Sequence, residues 1–423
     1  MRKMKPSGVE WIGDIPQEWE VLPHKYVMRK NKNICEHYNG EDIISLTMNG
    51  VIIRDLNAGG KMPSTFDGYQ YVDPEDLLLC LFDIDVTPRC VGLVKNYGIT
   101  SPAYSRFKMF SGYFNSYYNY LLRMIDDRKV FVHLSKNLRS SLTENDFGSI
   151  LTIAPPLPEQ QRIAEFLDRK CAEIDSIIAK TKATIEEYKA LKQAVITQAV
   201  TKGIRPDRPM KDSGNIWIGS IPKDIKLSQT GLHFNIVLGK MLCTDPINDS
   251  YTYEYYYCAA NVHFGELSND GLKQMWFSEK EKEQYLVNAG DLLVVEGGAG
   301  AGGCCLVPSR ENKTYIQNSI MIVREKNGNC TGFLRYLIEF LVKSGYIDVV
   351  CNKATIPHFT KDKLAAVPFP LFSAIEQHEI ADYLDRKCAE IDRLIAAKEQ
   401  LLTELESYKK SVIYEYVTGK QEV

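Results

Sequence analysis

One nine-residue segment, LDRKCAEID, occurs twice in the chain, at residues 167–175 and again at residues 384–392. Its offset of 217 residues is kept by matches on either side, which extend from Glu159-Gln160 against Glu376-Gln377 to Val200-Thr201 against Val417-Thr418. About 42 residues therefore align without a gap. A gapless match of this length indicates that both copies form the same long, rigid element.

A second repeat precedes each copy. WIGDIP at residues 11–16 recurs as WIGSIP at residues 217–222, at an offset of 206. Each half of the chain therefore consists of a WIG segment, a body (residues 17–158 or 223–375) and the shared element. The period is far too long for a solenoid. A shared connector with divergent bodies indicates one architecture that presents two different specificities.

The shared element has the pattern of an amphipathic helix. Apolar residues recur at heptad-like spacing between charged ones, and no Gly or Pro interrupts either copy. Each helix of about 42 residues is about 63 Å long, and we expect the two to pair in antiparallel orientation about a pseudo-twofold axis. Ile177 and Leu191 also fall on the predicted stripe. The predicted coiled-coil interface comprises Leu167, Cys171, Ile174, Ile178, Ile185, Leu384, Cys388, Ile391, Ile395 and Leu402.

Both bodies have the pattern of mixed α/β domains. EDLLLC and GDLLVV predict buried strands, each followed by a turn and a second short strand, CVGLV or CCLV. Helices are expected at residues 117–124 and 332–342. The predicted divisions are a first domain at 1–158, a helical repeat at 159–203, a second domain at 204–375 and a helical repeat at 376–420.

Composition limits the classes of function. A net charge of −3 excludes a uniformly basic surface but not a basic cleft. No apolar run is long enough to span a membrane, no secretory signal is recognisable, and eleven cysteines without a CxxC pair fit a cytoplasmic protein. Cys304-Cys305 is interpreted as a pair of free thiols rather than a metal or redox site.

Catalytic motifs are missing from the sequence. It contains no HExxH, no GxSxG and no paired metal-ligand spacing. GGAGAGG at residues 297–303 satisfies GxGxxG, but a strand follows it where a dinucleotide site requires a helix. We interpret it as a loop whose backbone approaches a ligand closely. A nucleotide-dependent enzyme remains an alternative.

PPLPEQQRIAEFLDRKCAEID, the two WIG segments and the order body–helix–body–helix together resemble the specificity subunit of type I restriction-modification systems. The resemblance covers the whole chain, although PFPLFSAIEQHEIADYLD departs from the usual wording before the second helix. It implies that each body reads one half of a bipartite double-stranded DNA target. It also implies that the helices set the spacer and bind two methyltransferase (modification) subunits, with nuclease (restriction) subunits completing the complex.

The resemblance implies no cofactor and no catalysis in this chain, with S-adenosylmethionine, ATP and Mg²⁺ bound by partner subunits. Asp168, Arg169 and Glu173 lie outside the apolar stripe, where a methyltransferase could dock. A coiled-coil scaffold or regulator acting without a methyltransferase is the alternative. The candidate DNA-binding residues are Arg54, Lys61, Arg89, Arg106, Lys108, Lys240, Gly300, Arg310, Lys313, Lys353 and Lys361.

Overall fold

The structure, a computed structural model, describes residues 2–48, 50–57, 63–135, 140–308, 313–351 and 357–423. It divides into two compact units. Unit 1 comprises Met1–Lys182 and Glu399–Val423, and unit 2 comprises Ala183–Lys398. The predicted mixed α/β fold with two long helices is confirmed.

Unit 1 begins with twelve short strands and three helices in the described ranges. The strands are β1 (Met4–Pro6), β2 (Asp14–Pro16), β3 (Glu20–Pro23), β4 (Met28–Lys30), β5 (Ile43–Thr47), β6 (Gly50–Ile53), β7 (Gln70–Val72), β8 (Leu77–Leu79), β9 (Val91–Leu93), β10 (Gly98–Thr100), β11 (Ser105–Met109) and β12 (Leu151–Ala154). The helices are α1 (Asn115–Asp127), α2 (Val130–Leu134) and α3 (Glu144–Ser149). They are followed by the first long helix, α4 (Leu157–Lys202).

The part of the chain after α4 has a similar order of elements, with additional short strands and helices. Its strands are β13 (Met210–Asp212), β14 (Ser220–Pro222), β15 (Leu227–Gln229), β16 (Phe234–Leu238), β17 (Thr252–Tyr257), β18 (Val262–His263), β19 (Glu266–Leu267), β20 (Lys273–Phe277), β21 (Leu292–Val295), β22 (Cys304–Leu306), β23 (Tyr315–Ile316), β24 (Ile320–Glu325) and β25 (Pro368–Pro370). Its helices are α5 (Thr230–His233), α6 (Glu279–Tyr285), α7 (Thr331–Lys343), α8 (Tyr346–Val350), α9 (Lys361–Ala365) and α10 (Ala374–Val417).

The two units share one strand topology. The four-stranded sheet β4-β11-β8-β9 of unit 1 corresponds to β16-β24-β21-β22 of unit 2. The two-stranded sheets β1-β2 and β12-β3 correspond to β13-β14 and β25-β15. In the larger remaining sheet of each unit, β10 pairs in parallel with β5 as β23 does with β17, and unit 2 has in addition the two-stranded sheet β18-β19. The divergent bodies are therefore two versions of one fold.

The sequence pattern explains the main core of each unit. In unit 1 the buried strand Leu77–Leu79 packs against α1, and Leu167 of α4 closes the same cluster. In unit 2 the strand Leu292–Val295 packs against α7, and Leu384 of α10 takes the equivalent place. Full burial of one such leucine is worth about 2 kcal/mol. Each long helix is thus fastened to a body at its N-terminal end.

Both units contain an antiparallel pair of helix segments. In unit 1, residues 157–182 of α4 lie beside residues 399–417 of α10, with the rings of Phe166 and Tyr416 4.3 Å apart and Asp175 bound to Lys409 at 2.6 Å. In unit 2, Lys192 binds Asp392 at 2.7 Å. Because Asp175 and Asp392, like Lys192 and Lys409, differ by 217 positions, the two ion pairs are equivalent.

Glycine ends both long helices. Gly203 follows α4 with φ +79°, and Gly419 follows α10 with φ +68°. A side chain is disfavoured at such φ values, so glycine is the residue expected after a helix end. The helices contain 46 and 44 residues, which corresponds to about 69 and 66 Å.

Candidate functional site

The repeated Glu-Gln pair at the start of each long helix fastens that helix to its body. Gln160 is 1% exposed; its Oε1 accepts a hydrogen bond from Phe114 N (2.8 Å), and its Nε2 donates one to Pro155 O (2.8 Å). Phe114 immediately precedes α1, so the glutamine satisfies one of the free amide groups at that helix start. Gln377 does the same in unit 2, accepting from Cys330 N (2.9 Å) and donating to Phe372 O (2.9 Å).

The glutamate of each pair binds an arginine that precedes a WIG segment. Glu159 accepts hydrogen bonds from Arg2 and from Trp19 Nε1, and Arg2 also binds Glu18. Hydrogen bonding to Glu159 raises the pKa of the Arg2 guanidinium further above its ordinary value.

In unit 2 the corresponding residues are Glu376, Arg208 and Asp224. Arg208 Nη1 donates to Glu376 at 2.6 Å, and Arg208 also binds Asp224. Since both units use an arginine between two carboxylates here, the contact belongs to the shared framework.

The aspartate at the second position of LDRKCAEID makes a third repeated contact. The Tyr120 hydroxyl on α1 donates to Asp168 Oδ1 at 2.7 Å, and the Tyr336 hydroxyl on α7 donates to Asp385 Oδ1 at 2.7 Å. Burial, together with the aspartate, raises the pKa of each tyrosine, so the hydroxyl remains a donor. Asp168, Arg169 and Glu173 are exposed, as expected, and Asp168 in addition accepts this hydrogen bond from α1 of its own unit; docking of a methyltransferase at these residues stays a prediction.

The predicted stripe is mostly buried but includes two misassigned residues. Ile177 and Leu191 are 47% and 48% exposed, because they lie on the flank of the helix rather than on the paired face. Among the predicted interface residues, the buried ones are Leu167, Cys171, Ile174, Ile185, Leu384, Cys388 and Ile391, and the half-buried ones are Ile178, Ile395 and Leu402. Burial raises the pKa of the Cys171 and Cys388 thiols, so both stay protonated.

The exposed residues Ile177 and Leu191 have apolar counterparts on α10. Leu394 is 44% exposed and Tyr408 is 50% exposed, at the same offset of 217 residues. Ile177 and Tyr408 both belong to unit 1, on the helix pair that contains the Asp175–Lys409 ion pair. Leu191 and Leu394 both belong to unit 2, on the helix pair that contains the Lys192–Asp392 ion pair. Each unit therefore displays two exposed apolar side chains, one on each of its paired helix segments, and we call these two side chains the flank patch.

The turns predicted to be equivalent in the two bodies are equivalent in the structure. Arg89 lies in the connection between β8 and β9, and Gly300 lies in the connection between β21 and β22. Arg89 is half-buried, with its Nε donating to Met48 O at 3.0 Å and its guanidinium 3.5 Å from Asp127. Gly300 is exposed, and the strand β22 follows its loop, as expected.

Two candidate cations are interior residues. Arg106 is 2% exposed and binds Asp76 and Asp73. Lys240 is 8% exposed and binds Glu281 at 2.6 Å. Because a buried, paired side chain cannot reach a base edge, the structure argues against a DNA contact for either one.

The other candidates differ in accessibility. Lys108 is half-buried and binds Asp73 at 3.0 Å, and Arg54 is half-buried. Lys313 and Lys361 are exposed. Lys61, Arg310 and Lys353 lie outside the described residues. A DNA contact by the accessible candidates remains a prediction.

The exposed cations Lys25, Arg29, Lys30 and Lys32 were missed in the sequence analysis. Their signal was available, since no acidic residue occurs between Glu20 and Glu36. In the described part of the chain no group of His, Cys, Asp and Glu side chains could hold a metal ion. No helix in those same residues is long and apolar enough to cross a membrane.

Paired helices carrying two bodies of one topology, with different loops, define a protein built to present two recognition surfaces. Comparisons with known proteins give the same class. Residues 222–407 match the family described as type I restriction modification DNA specificity domain. A Methanocaldococcus jannaschii protein, provisionally named type I restriction enzyme MjaX specificity subunit, is 22% identical over 437 residues, covering 97% of this chain and 95% of that protein.

Solved structures agree in fold. A chain from a structure concerned with complex assembly and conformational transition of the type I R-M system has a TM-score of 0.70 at 16% identity, covering 96% of this chain and 99% of that one. The HsdS subunit from Thermoanaerobacter tengcongensis has a TM-score of 0.56 at 17% identity, covering 96% and 98%. Residues 222–407 thus match the type I restriction modification DNA specificity domain, and over nearly its whole length the chain is similar to a type I restriction enzyme specificity subunit.

Proposed function

We propose that this chain is the non-catalytic specificity subunit of a type I restriction-modification complex. The body of each unit reads one half of a bipartite double-stranded DNA target, and the paired helices set the spacer between the halves. One observation carries the proposal: the framework contacts are repeated in both units, whereas the loops at equivalent turns, such as those of Arg89 and Gly300, differ. Two bodies with the same framework and different loops fit a protein that recognises two different DNA sequences.

The flank patches support two docking sites for methyltransferase subunits. Exposed apolar surface rimmed by polar residues can mark a protein interaction site. Both patches contain the same arrangement, Ile177 with Tyr408 in unit 1 and Leu191 with Leu394 in unit 2. Two equivalent patches fit two identical partners, and we include these residues in the docking sites together with the exposed Asp168, Arg169 and Glu173.

Catalysis and cofactors belong to the partners in this proposal. Methyltransferase subunits bind S-adenosylmethionine and modify the DNA, and restriction subunits use ATP and Mg²⁺. This chain positions the partner subunits on the DNA and determines which DNA sequence is recognised. The complex acts in the cytoplasm, in keeping with eleven free cysteines.

Helix length gives the direct test. Four residues inserted after Thr184 and four after Leu401 lengthen both helices at equivalent points, by about 6 Å. Since DNA rises about 3.4 Å per base pair, we expect the spacer of the methylated target to lengthen by up to about two base pairs. Methylation-sensitive sequencing of cells expressing each protein measures the target directly.

Both half-sites should stay unchanged in that experiment. An altered half-site sequence with an unaltered spacer would show that the helices do not set the spacing. Purification of the intact chain from its native host without any methyltransferase would instead favour a scaffold or regulator.

A further inference from the structure

Unit 1 carries a concentrated positive edge that the fold does not require. We call Lys25, Arg29, Lys30 and Lys32 the basic edge. All four are exposed, and β4, which contains two of them, is the edge strand of its sheet. In the described residues, one ion pair compensates this charge, a contact of 3.8 Å between Lys30 and Glu144. This local excess of positive charge occurs in a chain whose net charge is −3.

Cross-strand pairing concentrates the charge further. Arg29 lies directly opposite Lys108 of β11 in the antiparallel ladder. Like charges in directly opposed positions destabilise a sheet. Asp73 lies 3.0 Å from Lys108 and compensates that lysine, whereas the contact of Arg29 among the described residues is with the ring of Phe110, at 5.9 Å. An external anion would complete this arrangement.

Comparison with the equivalent sheet of unit 2 shows whether the fold requires the cations of the basic edge. Leu77 pairs with Phe107 as Leu292 pairs with Val323, which fixes the correspondence between the two sheets. The residues opposite Phe107 and Val323 on the edge strands are Lys30 and Ile236, respectively.

The preceding residues correspond in the same way, with Arg29 at the position of Asn235. His24 N and Thr230 N donate to Ile150 O and Val367 O, each at 3.0 Å, which places Lys25 at the position of Gly231. The same strand therefore forms in unit 2 with neutral residues at all three positions. The cations of unit 1 are not needed for folding.

A cavity of about 400 Å³ lies against the basic edge. Lys25, Arg29 and Lys30 contribute three positive charges to the lining and Glu144 one negative charge, and the apolar part comes from Met28, Phe107 and Phe147. His24 also lines the cavity, stacked on Phe147 at 4.8 Å. Burial lowers the pKa of His24 to about 4, so its ring is neutral at pH 7. The net positive charge of the cavity therefore comes from the three exposed cations, which outnumber the single carboxylate of Glu144.

We propose that the basic edge binds the sugar–phosphate backbone of DNA beside the half-site read by unit 1. The cations contact phosphate oxygens, and the apolar lining accommodates the sugar. Such contacts add affinity without reading sequence. The inference rests on the proposed function, because DNA is the polyanion that a specificity subunit meets.

Salt dependence tests the proposal. The probe is a fluorescent DNA duplex, titrated with the full-length chain and whatever subunits co-purify with it. Lys25→Gln, Arg29→Gln and Lys30→Gln are combined in one variant. The slope of log K against log salt falls by about 0.9 for each phosphate contact removed, so we expect a reduction of about 2.7. Affinity should fall by the same factor on target and unrelated duplexes.

A matched control has the same charge change on unit 2. Lys226, Lys280 and Lys326 are exposed lysines outside the equivalent edge, and their combined replacement by Gln should leave the slope within about 1 of the wild-type value. An equal fall in both triple variants, or an unchanged slope in the unit 1 variant, overturns the proposal. Absence of DNA binding by the wild-type complex instead contradicts the proposed function itself.

Lysine acetylation read by mass spectrometry identifies the ligand. We expect duplex DNA to protect Lys25 and Lys30, and inorganic phosphate at the same phosphate concentration to leave them reactive. Equal protection by inorganic phosphate would make this a small-anion site and overturn the DNA assignment. Protection by a co-purified subunit before DNA is added would assign the edge to a protein interface.

Discussion

At the scale of the residue, the repeated Glu-Gln pair shows how a short motif can be structural. Gln160 and Gln377 are both buried and use both ends of the amide to bond backbone groups of their own unit. A glutamine can do this because its amide combines a donor and an acceptor. The motif therefore persists in both halves for a reason that does not involve DNA or a partner.

Loss of either amide should destabilise its own unit. In Gln160→Leu, Phe114 N and Pro155 O lose their partner, which we expect to cost about 2 to 4 kcal/mol of unfolding free energy. Gln377→Leu should have a comparable effect. Urea denaturation of the two variants measures it. Gln161→Leu, at the exposed neighbouring position, is the control, and an equal loss there would contradict this account.

His24 predicts a pH-dependent stability. Burial lowers the pKa of His24 to about 4, whereas an unfolded histidine titrates near 6.5. Between these values the unfolded state binds more protons, so stability falls as the pH drops from about 6.5 to about 4, by up to about 3 kcal/mol, and this contribution is constant below pH 4.

His24→Phe removes the titrating group and keeps a ring against Phe147. We expect its unfolding free energy to vary less than that of the wild type over this pH range. Thermal or urea denaturation at several pH values provides the comparison. Replacement of the exposed His133 by Gln should leave the wild-type pH dependence unchanged; a His24→Phe profile parallel to the wild type would refute the assignment.

At the scale of the element, periodicity predicted the long helices because a heptad pattern over about 42 residues has few alternatives. Periodicity alone did not separate buried from flanking positions, and Ile177 was placed on the wrong face. The strands within EDLLLC and GDLLVV were predictable from their apolar runs. The burial of Arg106 and Lys240 could not be predicted from the sequence, because it depends on ion pairs with Asp76 and Glu281, which are distant in sequence.

The flank patches make a prediction about assembly. Ile177→Glu with Leu394→Glu places one charge in each apolar patch, and we expect the variant to lose most of its co-purifying methyltransferase. Pull-down from the native host followed by mass spectrometry measures the yield. The variant should fold normally, because both side chains are already exposed.

Lys182→Glu with Glu399→Lys is the matched control, at exposed helix positions that also differ by 217 residues. It preserves net charge and should retain the partner. Equal retention by the Ile177/Leu394 variant would place the docking sites elsewhere on the chain.

At the scale of the whole molecule, the residues that form the framework are distinct from the loops that we expect to determine DNA specificity. The contacts that hold each body to its helix are made by repeated residues, while the body loops differ. The sequence reveals this division directly, through identity in one part and divergence in the other. Target identity is not readable in the same way, since it depends on the conformation of loops that have no periodic pattern.

Exchange of one body should therefore change one half-site. We expect a protein whose residues 17–158 come from another specificity subunit to recognise a new sequence on one side of an unaltered spacer. Methylation-sensitive sequencing identifies both halves at once. A simultaneous change in the two half-sites would show that the bodies do not read DNA independently.

The repeat of LDRKCAEID also has a genetic consequence. Recombination in register between its two coding copies deletes 217 codons and preserves the reading frame. The shortened protein keeps the body of unit 1 and a single helix made from the start of α4 and the end of α10, both of which pack in the core of that unit. Two such molecules can exchange helix ends. We expect this dimer, with two identical bodies, to select an inverted-repeat DNA target, so that one deletion converts an asymmetric target into a palindrome.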